Sequence, residues 1–250
     1  MGPAGDNFPL QMPHPAIKGV NWAPLAKGKT RFYGEPVAVV VAPSRAEAED
    51  ALEGAIVEYE VLPASCHPVD ALKEDAPLVQ DELGSNLAGH LETHIGDPNK
   101  ALAASPQVEE FELHTQRGAA GAMECRSILA NYDQQFDRIR VHISSQAPHP
   151  TRQRIAAILD RPEDTVEVIS PDVGGGFGPK GSFYPEDLVI PWLTLQLKSP
   201  VRWTGDRMEF IQATIQEREG SHKVTVGFDD EGHVLALKVH TILDLSLIHI

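Results

Sequence analysis

The segment Val173-Gly174-Gly175-Gly176-Phe177-Gly178-Pro179-Lys180 sets four glycines around one phenylalanine, directly after an apolar strand-like run that ends near Ser170. Glycine reaches positive φ freely and lets a ligand approach the backbone, so such a run can aim consecutive N–H groups at an anion or an oxo group. A phosphate or a metal-oxo ligand fits that description, and a plain flexible turn accounts for the glycines equally well. The spacing is wrong for the phosphate loop G-x-x-x-x-G-K-[ST], and the dinucleotide pattern G-x-G-x-x-G is met only by choosing among crowded glycines. One unit earlier, Ser144-Ser145-Gln146-Ala147-Pro148-His149 lies between an expected strand and an expected helix. Gln146 offers an amide donor and an acceptor there. Ligands of α/β proteins collect at the carboxyl ends of strands and the N-termini of the helices that follow, which makes the two segments candidates for one crevice.

Other chemistry is thinly represented. Among eleven histidines, His90 and His94 stand four apart, the spacing that puts two metal ligands on one helix face. Leu91, Thr93 and Ile95 alternate with Glu92 and His94, however, and Gly89 and Gly96 flank them, so solvated strand histidines are expected and no direct metal ligand. Cys66 and Cys125 form no C-x-x-C pair, which leaves no disulfide framework and no iron-sulfur or structural zinc site. Any redox centre has to be borrowed. Twenty-one Lys and Arg against thirty-six Asp and Glu give a formal charge of −15, unfavourable for a nucleic-acid partner. No apolar run approaches the roughly 20 residues of a membrane span. The start, Met1-Gly2-Pro3-Ala4-Gly5-Asp6, lacks the pattern of a signal peptide, so a soluble cytoplasmic protein is expected.

The elements that must position these residues follow from periodicity. Hydrophobic residues make up 42% of the 250, ordinary for a globular chain. Residues 1–30 are rich in Pro and Gly and read as a loop. Pro36 to Ala42 reads as a buried strand, Ser44 with Glu47 as a capping box opening a helix, and Ile56 to Val61 as a half-exposed strand ending at Pro63. A polar, acidic stretch from Pro68 to Asn86 reads as a surface linker. Beyond it, strands are expected at 108–113, 128–132, 138–143 and 166–169, with helices at 151–159 and from about Pro185 to Leu197. A hairpin closes the series, with 223–228 and 234–239 flanking the turn Asp229-Asp230-Glu231-Gly232.

Ser145-Gln146-Ala147-Pro148-His149, then Ile169 through Lys180, then Val201-Arg202-Trp203-Thr204-Gly205-Asp206-Arg207-Met208-Glu209 together resemble the xanthine dehydrogenase and aldehyde oxidase family. The likeness is greatest to its carbon monoxide dehydrogenase large-subunit branch. Arg31 through Val40 with Val57 through Pro63 looks like that family's α/β hammerhead, and Ala122-Met123-Glu124-Cys125-Arg126 resembles its M-E-P-R segment with Cys125 in place of proline. In all, the resemblance spans roughly residues 17 to 243. It implies an α+β fold: a hammerhead over 1–67 that is N-terminally incomplete, a linker over 68–104, and a first molybdenum-cofactor-binding α/β domain over 105–244 that is C-terminally truncated. Leu245-Ser246-Leu247-Ile248-His249-Ile250 reads as the in-frame product of a transposase-derived sequencing adapter, a non-native tail.

The same resemblance implies molybdopterin, in its cytosine dinucleotide form, held by Gln146 and by the backbone of Gly175, Gly176, Phe177 and Gly178. The implied reaction inserts water-derived oxygen at an electrophilic carbon of an aldehyde, a heterocycle or carbon monoxide. Electrons would leave through iron-sulfur clusters on a small subunit and FAD on a medium subunit of an oligomeric parent. The family's base glutamate belongs to a G-x-G-E type motif that this chain lacks, so no catalytic residue and no turnover by the chain alone are expected. Purine-oxidising relatives place a glutamate just after the glycine-phenylalanine motif, where Gly181-Ser182 stands here, which disfavours xanthine. Two other readings stay open: a non-catalytic assembly module that keeps the fold, and a phosphate-binding α/β protein that uses the glycine run.

Overall fold

The computed structural model describes residues 16–18, 23–216 and 219–244. Their helices are α1 (Arg45–Leu52), α2 (Pro98–Ala104), α3 (Pro148–Ile158), α4 (Pro185–Leu197) and α5 (Arg207–Ala213). Their strands are β1 (Gln107–Thr115), β2 (Ser127–Asp133), β3 (Arg138–Ile143), β4 (Val166–Ile169), β5 (Val201–Thr204), β6 (Gly220–Phe228) and β7 (Val234–Leu243). The fold mixes helix and sheet, as expected. One sheet runs in the order β4-β3-β2-β5 and the other in the order β1-β6-β7.

Strict alternation makes the first sheet one-sided. Along β3, Ile139, Val141 and Ile143 are buried while Arg138, Arg140 and His142 are exposed. Register carries that face across the sheet, because Ile128 of β2 lies opposite Ile143, Ala130 opposite Val141, and Val166 of β4 opposite Ile139. Onto it pack Ile155, Ala156 and Ile158 of α3 and Leu188, Val189, Ile190 and Leu193 of α4. Each buried aliphatic side chain contributes about 1.5 to 3 kcal/mol relative to exposure. Thr194 of α4 is fully buried and spends its hydroxyl on the Ala130 carbonyl, 3.2 Å away, so its burial leaves no orphan polar group. Strands β3 and β4 pair in parallel, and a parallel pair needs a crossover, which α3 supplies.

The hairpin of β6 and β7 forms as its turn chemistry predicts, with a bulge at Gly227 and Phe228. Ser44 caps α1, its hydroxyl accepting from the Glu47 amide and donating to the Glu47 carboxylate. Three expected strands do not form. Residues 36–42, 56–61 and 91–95 join no strand ladder among the described residues, the Pro36 carbonyl accepting a lone bond from the Ala26 amide, and Ile56 and Val61 are 85% and 92% exposed. Alternation specifies which faces a strand would present but supplies no ladder partner, and without one an extended segment is no strand. Helix α2 was not anticipated. It is capped by Asp97, opened by Pro98 at its first position, and rests on the β6–β7 hairpin beside Gly227. Short β5 and α5 were also missed as elements. The expected non-native tail at 245–250 lies outside the described residues, as do residues 1–15 of the expected N-terminal loop.

Two outcomes test this core. Leu188→Ala is expected to lower unfolding free energy by about 2 to 5 kcal/mol in denaturant titrations, since it opens a cavity between α4 and the sheet. Asp187, in the first turn of α4, accepts from the Tyr184 amide at 2.9 Å and is buried. Burial pushes its carboxyl up to about 7 from an ordinary 3.8, against the pull of nearby Arg126. The folded chain therefore holds a proton that the unfolded chain releases, so this contribution to stability is full in acid and is lost as pH rises toward and through 7. Between pH 5 and pH 8 the wild type should lose more stability than Asp187→Asn in parallel melts. Equal losses would refute the assignment.

Candidate functional site

Topology gathers four loops at one edge of the first sheet. Parallel pairing puts the carboxyl ends of β3 and β4 side by side, so Ser144-Ser145-Gln146 and the glycine run leave from the same edge. Strand β2 is antiparallel to β3 with Ile128 opposite Ile143, which brings the residues just before it, Ala122 to Arg126, to that edge as well. Strand β5 is antiparallel to β2 with Thr204 opposite Ser127, so Gly205 to Arg207 arrive there too. Arg207 then ties two of these loops, donating to the carbonyls of Ala122 and Met123 at 2.7 Å each.

Gln146 and the glycine run meet. The Gly178 amide donates to Gln146 Oε1 at 3.1 Å, and because the backbone N–H can only donate, the side-chain oxygen must face it. Gln146 Nε2 is left without a partner among the described residues. At Gly176 a Cβ would come within 2.2 Å of the Gln146 side chain, so only glycine allows this contact. Phe177 adopts φ 52°, a left-handed conformation costly for a bulky residue, and its side chain is 71% exposed. The backbone donors divide clearly. Gly174 N–H goes to Glu124, Gly175 N–H to the Val173 carbonyl, and Gly178 N–H to Gln146. The amides of Gly176 and Phe177 are spent on nothing within the described residues. Two consecutive free amides at a change in the sign of φ form a nest suited to an anionic or oxo acceptor. Of the five residues predicted for the site, Gly176, Phe177 and Gln146 thus present free donors, whereas Gly175 and Gly178 shape the turn.

Glu124 and Lys180 were missed as site residues. Glu124 Oε2 accepts from Lys180 Nζ at 2.6 Å, Ser144 Oγ at 2.8 Å and Gly174 N at 2.7 Å. Burial opposes its charge, but the hydrogen bonds from Lys180, Ser144 and Gly174 outweigh it and hold the carboxyl below its ordinary range. Behind them Arg126 is buried, stacked 3.7 Å from the Tyr184 ring centre and 5.1 Å from that of Trp203, and paired with Glu186 at 3.0 Å. The available signal was an acid in the loop before β2 and a lysine closing the glycine run. His90 and His94 flank Glu92 on the exposed surface at 3.9 and 3.7 Å and join no part of the cradle. Two hollows also lie apart from it: a narrow one beside Phe32, Glu35 and Tyr184, and one of about 430 Å³ beside His67, Arg117 and Glu219.

A one-sided sheet whose parallel edge presents free backbone amides and a carboxamide nitrogen defines an α/β cradle for an acceptor-rich ligand. The profile of the molybdopterin cofactor-binding domain matches residues 79–248, and the chain belongs to that family. Its similarity extends to the nicotine 6-hydroxylase large subunit of Paenarthrobacter nicotinovorans, 34% identical over 90% of this chain and 28% of the relative. The carbon monoxide dehydrogenase large chain of Hydrogenophaga pseudoflava is 32% identical over 92% of this chain and 30% of the relative. Among solved structures, quinoline 2-oxidoreductase from Pseudomonas putida 86 superposes with a TM-score of 0.88 at 33% identity, over 95% of this chain and 30% of that one. The chain therefore spans about 30% of the length of these relatives. Backbone and carboxamide donors suit the acceptor-rich molybdopterin, and the carboxylate that contacts the glycine run, Glu124, is already paired with a lysine.

Gly176→Ala is expected to displace the Gln146 side chain and break its bond to the Gly178 amide, at a cost of about 0.5 to 1.5 kcal/mol. The Gly178 amide resonance should move by far more than those of β2 and β3. An unchanged Gly178 resonance would show that the close approach does not exist in solution.

Proposed function

We propose that this chain is part of the molybdenum-binding large subunit of a molybdenum hydroxylase, and that its share of the work is to seat the cofactor. The observation that carries this is the pair of unspent amides at Gly176 and Phe177 beside the unpartnered Gln146 nitrogen. When bound, the molybdenum-pterin group supplies two-electron oxidation of a carbon centre with oxygen derived from water. Gly176 and Phe177 would donate to its acceptor atoms, Gln146 Nε2 would add a third donor, and Gly175, Gly178 and the Gln146 oxygen would keep the donors aligned. None of these groups can act as a base near neutral pH, so the proton-accepting residue would be a group other than these.

Several finer readings belong with the proposal. The cofactor would be the cytosine dinucleotide form, with iron-sulfur clusters and FAD on small and medium partner subunits of a cytoplasmic oligomer. Residues 1–67 would contribute to a hammerhead, 68–104 would link, and 105–244 would form the first cofactor-binding domain. The substrate would be a small aldehyde, heterocycle or carbon monoxide. Relatives named for carbon monoxide, nicotine and quinoline stand at similar identity, which supports the class without selecting a member. No helix of the described residues is long and apolar enough to cross a membrane.

Expressed within its longer protein, in a host that makes the cofactor, the chain is expected to retain about one molybdenum and one pterin per subunit. Gly176→Val should reduce both at least tenfold by metal analysis and pterin fluorescence. A wild-type subunit free of molybdenum and pterin would leave the assembly-module reading standing instead.

A further inference from the structure

Lys180 is a lysine in an unusual place. Its side chain is 0% exposed, and its ammonium meets Glu124 at 2.6 Å. A buried cation is costly unless it is paired, and removing one member of such a pair leaves the other stranded. Its backbone is equally committed, because the Lys180 carbonyl accepts from the Gln146 amide at 2.9 Å and from Ser145 Oγ at 3.1 Å. One residue thus fastens the Gln146 loop through its carbonyl and, through Glu124, fastens Gly174 at the opening of the glycine run. Ser144, at the end of β3, reaches the same carboxylate oxygen. All three donors converge on Glu124 Oε2, so a single atom joins the loops that leave β3 and β4 to the segment that precedes β2.

We infer that Glu124 and Lys180 are positioning residues of the cradle: their ion pair sets the conformation that turns the Gly176 and Phe177 amides outward together. The inference rests on the cofactor-seating reading for its purpose, but the pair can be tested without the cofactor. The pair lies outside the hydrophobic cluster that joins β2, β3, α3 and α4, so the order of the glycine run can be read separately from that of the sheet.

The test uses the 250-residue chain labelled with ¹⁵N and sodium molybdate as the oxo-anion probe. In the wild type, backbone order parameters over Gly174 to Gly178 should approach the rigid value of about 0.85, and molybdate should shift the Gly176 and Phe177 resonances. Glu124→Ala is expected to drop those order parameters below about 0.6 and to weaken the molybdate response at least fivefold, with β2 and β3 amides unchanged. Because Glu124→Ala strands a buried lysine and can unfold the chain, the double variant Glu124→Gln with Lys180→Met is the decisive companion. It keeps an acceptor for Gly174 and Ser144 but no charge, and should restore order without restoring more than half of the molybdate response. An ordered run with wild-type molybdate response in Glu124→Ala, or in Lys180→Met alone, overturns the inference. An ordered wild-type run that ignores molybdate at Gly176 and Phe177 counts against the cofactor-seating reading instead and leaves the ordering role of the pair intact.

Discussion

The parallel pairing of β3 with β4 is the constraint on which the rest of the structure depends. A parallel pair sends both chains out at the same edge, and here the register is flush, with His142 opposite Ile169. Everything proposed for the site follows from that shared exit: Gln146 four residues beyond His142, and the glycine run a few residues beyond Ile169. Had β4 run antiparallel, its glycines would emerge at the far edge, and no side chain could bridge the length of the sheet. Helix α3 makes the geometry possible by returning the chain across the buried face, and its Ile155 and Ile158 bind that crossover to the same core that α4 completes.

Polar balance at the edge is the second condition. A chain with a formal charge of −15 is an unpromising host for an acceptor-rich ligand unless its local field is corrected. The correction is local: Glu124, the carboxylate that touches the glycine run, is drawn into a pair with a buried lysine, and the Gly176 and Phe177 amides are left facing outward. Arg126 performs a similar service deeper in, where two aromatic rings and Glu186 hold it beneath the loops. Phe177 holds a left-handed conformation at the same place, between two neighbours whose amides are differently employed.

What the sequence disclosed depended on whether the signal was local. Period-two alternation in Arg138-Ile139-Arg140-Val141-His142-Ile143 and the proline opening Pro185–Leu197 are properties of single segments, and both elements form where expected. The same alternation at 56–61 misled, because strand formation needs a partner that alternation cannot name. Helix α2 escaped notice because seven residues within a polar stretch carry little periodicity, and only the Asp97 and Pro98 cap marked it. At the site, Gln146 and the glycines were legible from residue type and position after a strand. Glu124 was not: it lies 50 residues before Gly174, and only the antiparallel β2 and β3 pairing brings it within 2.7 Å of that amide.

The most direct test is an experimental structure of the longer protein with its cofactor bound. The account predicts the amide nitrogens of Gly176 and Phe177 and Gln146 Nε2 within hydrogen-bonding distance, about 2.7 to 3.2 Å, of cofactor atoms at the β3–β4 edge. A cofactor seated elsewhere, with those three nitrogens facing solvent or other protein groups, would contradict it.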